Sequence, residues 1–158
     1  MTYRIGSGVD FHPLEEGREL WLGGVFIPHH KGAVGHSDAD VLIHAICDAL
    51  LGALSLGDIG KHFPNNDNTY LDIDSKILLE KTYDLITSKG YAVVNIDTTV
   101  CLENPKILNF VPLMQEAIAS ILNITVNDIS IKATTTEKMG FAGREEGLVA
   151  YATVLLSK

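Results

Sequence analysis

Tyr3-Arg4-Ile5-Gly6-Ser7-Gly8-Val9-Asp10-Phe11-His12 is the stretch that decides the fold. Side chains alternate across a strand, so Tyr3, Ile5, Ser7, Val9 and Phe11 share one face, and Arg4, Gly6, Gly8, Asp10 and His12 share the other. The first face is largely apolar. The second is bare at its glycines and ends in a carboxylate beside an imidazole. Pro13 is expected to stop pairing there, leaving Glu15 and Glu16 in a solvated loop.

Working outward, Glu19 to Leu22 and Val25 to Pro28 flank Gly23-Gly24, a two-residue hairpin signal with Trp21 packing on the hairpin. Asp38 to about Ser55 is helical, with Val41, Leu42, Ala45, Ile46, Ala49 and Leu50 on helical spacing and Ser37 or Asp38 as cap. Leu56 to Gly60 breaks that helix, and His62 to Leu71, with Pro64 and three asparagines, reads as a loop. Ser75 to Ser88 is a second helix ended by Gly90. Tyr91 to Leu102, rich in Val, Ile and Thr, is a long strand. Asn104-Pro105 reads as a cap and first helical position opening a third helix to about Asn123. Asp128 to Thr136 and Gly147 to Leu156 are further strands. The class expected is α+β: one domain over residues 1–158, with an about five-stranded mixed sheet, three helices layered on one face and a small N-terminal hairpin.

The chain has 158 residues, 46% of them apolar, and carries 12 Lys+Arg against 20 Asp+Glu, a formal net charge of −8. That apolar content argues against disorder, and the charge balance against a nucleic-acid binder, which needs a basic face. No run of about 18 uncharged apolar residues suggests a membrane span. The N-terminus enters patterned sequence at once, so neither signal nor transit peptide is expected, and the location expected is cytoplasmic. Cys47 and Cys101 sit among apolar neighbours and read as reduced core thiols. An anionic ligand in so acidic a chain must be neutralised locally, by metals, backbone N–H groups or a few placed cations.

Asp10 and His12 project from one face of a strand, a carboxylate and an imidazole that suit zinc, and His44 on the first helix is a candidate third ligand. Three protein ligands leave a fourth position open, as in catalytic sites. Asp40 and Asp48 flank His44 at four residues and are placed to orient its ring. Spacing alone also fits a strand-end turn with an unrelated helical histidine. His36 and Ser37 precede the helix where N–H groups are free to hold an anion, or serve only as a cap. Thr134-Thr135-Thr136-Glu137-Lys138 fits a capping box, or supplies hydroxyls for phosphate with Glu137 as ligand of a hard cation. Arg144, after Gly143, offers a permanent positive charge. Met114 and Met139 are expected in the core.

Asp10-x-His12, His36-Ser37-Asp38-x-Asp40, Asp48 to Ala53, Leu56 to Lys61, Pro105-Lys106 and Thr134 to Glu137 with Gly143-Arg144 occur together in that order. From Arg4 to the C-terminus the chain closely resembles the 2-C-methyl-D-erythritol 2,4-cyclodiphosphate synthases of the non-mevalonate isoprenoid pathway. The resemblance implies zinc on Asp10, His12 and His44, with Asp10 and His12 also facing substrate. It implies diphosphate contact by His36 and Ser37, and transition-state stabilisation by His36 and Thr135. Glu137 is implied as the ligand of magnesium or manganese. Asp58 and Gly60 are implied to hold ribose hydroxyls, with Ile59 near the erythritol and the loop from Phe63 through Asn65 to Asp67 closing over substrate. Leu102, Pro105, Lys106, Ile107 and Leu108 resemble the cytosine pocket, with Lys106 near phosphate and Ala133, Thr134 and Thr136 beside it. In the family that wall comes from a neighbouring subunit of a homotrimer, whose axis Phe141 and Arg144 would approach. Asn65 stands where an aspartate is usual, and Leu102-Glu103-Asn104-Pro105 departs from the usual run before the proline. The implied reaction closes 4-diphosphocytidyl-2-C-methyl-D-erythritol 2-phosphate into the 2,4-cyclodiphosphate and releases CMP. A zinc-dependent phosphohydrolase and a non-catalytic trimer sensing isoprenoid phosphates are the alternatives.

Overall fold

A computed structural model describes residues 1–158. The first strand, β1 (Tyr3–Glu16), is longer than expected. It runs antiparallel to the last strand, with Pro13 paired to Gly147 rather than ending the ladder. The structure corrects the reading of Pro13 as a stop, and of Glu15 and Glu16 as a loop. These glutamates pair with a three-residue strand that the sequence reading passed over.

Hairpin β2 (Leu20–Leu22) and β3 (Val25–Ile27) forms as expected, with the Trp21 and Phe26 ring centroids 5.6 Å apart. Its two turn residues, Gly23 and Gly24, have φ of +59° and +76°, a conformation that glycine adopts without steric cost. The overlooked strand, β4 (Lys31–Ala33), follows. Helix α1 (Val41–Ala53) is capped by Asp40, not by Ser37 or Asp38. The fully buried Asp40 carboxylate accepts N–H bonds from Ile43 at 3.0 Å, Gly23 at 2.9 Å and Gly24 at 2.7 Å. One side chain thus starts the helix and docks the hairpin turn on it. Burial, together with the neighbouring Asp38 charge, pushes its pKa up against those three donors.

A short α2 (Ile59–His62) and α3 (Ser75–Ser88) come next. Strand β5 (Ala92–Cys101) leads to α4 (Val111–Leu122), which begins later than expected. Asn104-Pro105 is a cis peptide in an irregular segment, and the proline in the first turn of α4 is Pro112. The helix ends on Asn123 in the left-handed region. Strand β6 (Ile129–Thr134), a four-residue α5 (Gly140–Gly143) and β7 (Gly147–Ser157) complete the chain.

The strands form a mixed sheet in the order β4-β1-β7-β5-β6, with β5 and β6 parallel and the other pairs antiparallel. Helix α1 is apolar nearly all round and buried between the sheet and α3, while α3 in turn packs on α4. The glycine face of β1 is the inner one. A Cβ on Gly6 would lie 1.9 Å from the Ala49 carbonyl oxygen, and one on Gly8 2.1 Å from that of Ala45. Bare glycines therefore let α1 settle onto the strand. The apolar face points the other way and has no helix over it: Ile5 is 72% exposed and Phe11 54%. Met114 is in the core as expected, whereas Met139 is 68% exposed. Cys47 is fully buried, with burial raising its thiol to about 12, and Cys101 is only half-buried.

Candidate active site

Asp10 and His12 stand on the inner face of β1 just beyond Gly8, and the close approach of α1 to that strand brings His44 to them. Asp10 Oδ2 is 2.9 Å from His12 Nε2 and 3.0 Å from His44 Nδ1, and the two ring nitrogens are 3.2 Å apart. Three donor atoms converge on one point. Tetrahedral ligands about 2.1 Å from a zinc ion would stand about 3.4 Å apart, so an N/N/O set at this spacing fits such an ion after a slight opening.

The ring orientations are set from behind. His12 Nδ1 donates to the Val34 carbonyl at 2.8 Å, leaving Nε2 toward the cluster. A Cβ on Gly35 would sit 2.8 Å from the His12 ring, so that ring depends on a glycine there. His44 Nε2 meets Ser75 Oγ at 2.9 Å and Ser37 Oγ at 3.1 Å. The Ser75 hydroxyl donates to Asp38, so its oxygen accepts from His44 and leaves Nδ1 as the free lone pair. These contacts correct the expectation for Asp40 and Asp48. Asp40 caps α1, Asp48 accepts from Ile59 N at 2.8 Å, and neither touches the His44 ring. The pair that does orient it, Ser75 and Asp38, carried no such signal: Ser75 reads only as the start of a helix.

Burial opposes ionisation of Asp10, but its contacts with the His12 and His44 rings outweigh it and hold the carboxyl at about 2. Burial likewise disfavours a charged His12, and the bond to Asp10 overcomes it and raises the imidazole above 6.5. The two groups thus favour each other's charged form.

A cavity of about 440 Å³ opens over these three residues and is lined also by His36, Ser37, Ile59, Gly60, Phe63 and Asn65. His36 Nε2 donates to the Asp67 carbonyl at 3.2 Å, tying the following loop to the cavity wall. Asp58 and Asp67 are not in the lining. Their carboxylates cap short helical turns, accepting from Lys61 N and Thr69 N at 2.9 Å.

Leu102, Pro105, Lys106, Ile107, Ala133, Thr134 and Thr135 line a second hollow of about 110 Å³, which shares no residue with the first. Leu108 lies beside it, 76% exposed. The capping box expected at Thr134 and Glu137 does not form, because no helix starts there. Thr134 Oγ1 instead donates to the Thr135 carbonyl, Thr136 Oγ1 to the Met139 carbonyl, and Glu137 and Lys138 adopt positive φ. Glu103 holds this turn, one carboxylate oxygen accepting from Thr136 N at 3.1 Å and Lys138 N at 3.2 Å. Glu137, next to Thr135 Oγ1 at 3.4 Å, is free to face outward. Phe141 stacks on Phe11 with centroids 6.0 Å apart, and the exposed Arg144 is paired with Glu146 at 2.9 Å. Phe141 and Phe11 thus lie together at the uncovered sheet face.

Residues 3–157 match the YgbB family. The chain is 60% identical, over 158 residues and 99% of the relative, to the 2-C-methyl-D-erythritol 2,4-cyclodiphosphate synthase of Bacteroides fragilis, and 61% identical to that of Bacteroides thetaiotaomicron. Among solved structures it resembles the bifunctional IspDF of Campylobacter jejuni, with TM-score 0.94 and 42% identity over 98% of this chain and 42% of that one. It also resembles the CDP complex of Plasmodium falciparum IspF, with TM-score 0.85 and 38% identity over 98% of this chain and 95% of that one.

Proposed function

The chain belongs to the YgbB family, and from that premise we propose that it converts 4-diphosphocytidyl-2-C-methyl-D-erythritol 2-phosphate to 2-C-methyl-D-erythritol 2,4-cyclodiphosphate with release of CMP. The observation that carries this reading is the convergence of Asp10, His12 and His44 at one wall of a cavity that also presents His36 and Ser37.

An oxygen of the 2-phosphate attacks the β-phosphorus of the diphosphate, and the bond from that phosphorus to the bridging oxygen breaks, so CMP leaves with the electron pair. The second pKa of a phosphate monoester is about 6, so the nucleophile is largely ionised at neutral pH and needs no general base. No serine–histidine nucleophile is called for. The difficulty is bringing an anion onto the phosphorus of another anion in a chain of net charge −8. Asp10, His12 and His44 would hold zinc, which supplies Lewis-acid withdrawal of charge from the diphosphate and a template for its oxygens. His36 and Ser37 would face that diphosphate, and Thr135 with Glu137 its other side, where Glu137 would hold magnesium or manganese. Folding the substrate so that its two arms meet contributes up to about 7–11 kcal/mol of proximity.

The cytidine would lie in the hollow made by Leu102 to Leu108 with Ala133 and Thr134, and Lys106 close to phosphate. That hollow and the triad cavity are separate in one chain. A homotrimer in which each site takes its cytosine wall from a neighbour unites them, and supports Phe141 and Arg144 near the three-fold axis. Each subunit would act as one domain in the cytoplasm. Asp58 and Gly60 would meet ribose hydroxyls at the cavity mouth, and Ile59 the erythritol. Phe63, Asn65 and Asp67 would lie over the substrate.

The test is to incubate the zinc- and magnesium-loaded protein with the diphosphocytidyl substrate in oxygen-18 water, following CMP and the product mass. Equal amounts of CMP and a cyclic product free of solvent oxygen are expected. A linear product carrying the label would make the protein a phosphohydrolase instead.

A further inference from the structure

The link between β3 and β4 is Pro28-His29-His30, two adjacent imidazoles that the reaction above does not use. Backbone contacts fix where they stand: the His30 carbonyl accepts from Gly17 N at 3.0 Å, and β4 begins at the next residue. The rings stack edge to face with centroids 4.4 Å apart. Against them comes Glu145, from the turn between α5 and β7. That turn is held on two sides: Lys31 Nζ donates to the Glu145 carbonyl at 3.0 Å, and Asn104 Nδ2 to its Oε1 at 2.8 Å.

Ligand atoms of His29, His30 and Glu145 lie within 4.8 Å of one another, yet no hydrogen bond or ion pair joins them. The Glu145 carboxylate has one oxygen on Asn104 and a second with no protein donor. The Nε2 of His29 is shielded from water and hydrogen-bonded to nothing. A buried ring nitrogen without a partner is costly, and such atoms are normally engaged. Donors that approach this closely without bonding one another leave a gap suited to an ion, since two ligands about 2.1 Å from a metal stand at most about 4.2 Å apart. The exposed His30 side chain is the one that would have to move to close the remainder.

We propose that His29, His30 and Glu145 form a second metal site, distinct from the Asp10 cluster, for a late first-row divalent ion such as Zn2+ or Ni2+. Two imidazoles and one carboxylate suit these ions and not magnesium, which prefers an all-oxygen shell. The site clips the β3–β4 link to the turn before β7. Through Asn104 that turn also contacts the segment bearing Pro105 and Lys106. The ion is thus a structural fastener beside the segment that bears Pro105 and Lys106 rather than a participant in bond making.

The experiment uses the untagged full-length chain, stripped with chelator and reloaded with Zn2+, with metal per chain counted by native mass spectrometry and elemental analysis. The double variant His29→Ala/His30→Ala is expected to hold about one zinc fewer than the unaltered protein while its circular dichroism is unchanged. His44→Ala should lose a different zinc, so that the two losses add. In the His44→Ala background, Ni2+ should raise the melting temperature, and Glu145→Gln, which keeps an acceptor for Asn104, should weaken that ion about tenfold or more. Equal zinc content in the unaltered protein and the double variant would overturn the site. So would Ni2+ binding that Glu145→Gln leaves unchanged.

Discussion

Replacing Gly8 by alanine should undo the active site from beneath. The added methyl would lie 2.1 Å from the Ala45 carbonyl oxygen and 2.8 Å from Ala49 N, both backbone atoms of α1 that no rotamer change can move. Relief to even 3.0 Å needs the helix to retreat by about 1 Å. Overpacking of this kind costs about 1–3 kcal/mol, and at about 2–4 °C per kcal/mol in a domain this size the upper end is a fall of about 6–12 °C in melting temperature. The metal readout is sharper. Ala45 adjoins His44, so the same retreat carries the His44 ring away from Asp10 and His12, while metal–ligand distances tolerate only about 0.2 Å. Isothermal titration with Zn2+ should therefore show at least about tenfold weaker binding at the triad. Gly52→Ala is the control on the same helix: its nearest foreign atom would be Ser7 O at 3.8 Å, and alanine is favoured over glycine in a helix by about 1 kcal/mol. That variant should melt higher and keep its zinc. Unchanged zinc affinity and melting temperature in Gly8→Ala would refute the view that bare glycines set the strand–helix approach.

Three further outcomes are expected. Ser75→Ala removes the hydroxyl relay from Asp38 to His44 and should weaken zinc about 10–100-fold without unfolding the chain; equilibrium dialysis that finds affinity within twofold would show the relay to be idle. In metal-free protein the contacts of Asp10 with His12 and His44, net of the burial that opposes them, contribute about 2 kcal/mol. On the carboxylate side that contribution is present above 3.8 and lost as pH falls through about 2. On the imidazole side it is present below 6.5 and lost as pH rises through the raised His12 value. A melting profile from pH 2 to 9 (chosen to span both losses) should flatten in Asp10→Asn, and identical profiles would count against the pair. Phe11→Asp places a charge on the uncovered sheet face beside Phe141, and light scattering should find monomers with native circular dichroism; a trimer that persists would exclude that face from the subunit contact.

The triad was only partly legible in spacing, which pairs Asp10 with His12 but equally allows His44 to be an unrelated helical histidine; the resemblance joined the three. Period two on β1 puts Asp10 and His12 on one side, and the structure adds that the bare glycines before them make it the side on which α1 settles. The failures lie where a partner distant in sequence decides the outcome. Pro13 pairs because Gly147 faces it across the β1–β7 ladder. Lys31–Ala33 is a strand only because Leu14, Glu15 and Glu16 extend beyond β7 to receive it, and three residues show no period. Thr134 and Glu137 have the spacing of a capping box, but Glu103 takes the N–H groups of Thr136 and Lys138, and a turn forms in place of a helix. Asp40 looked like a companion of His44 at four residues. Its carboxylate is turned to the hairpin amides instead, which offer three donors to a side chain with no access to water.

Placement of charge links these particulars. The cluster that would hold zinc brings one carboxylate to two imidazoles, and the other acidic groups nearby are already engaged: Asp40 by backbone amides, Asp48 by Ile59 N, Asp38 by the N–H and hydroxyl of Ser75. Each such bond draws a negative side chain away from the cavity and leaves the space above His36 and Ser37 to an anionic ligand. The cation-bearing Lys106 and the hydroxyls of Thr134 and Thr135 gather at the other hollow, at the far end of the β5–β6 pair. A substrate with a charged diphosphate between a sugar phosphate and a nucleoside needs both environments at once. One chain presents them as separate surfaces, and it leaves an apolar sheet face uncovered, with Ile5, Phe11 and Phe141 open to solvent, as the proposed homotrimer would require to bring the two halves together.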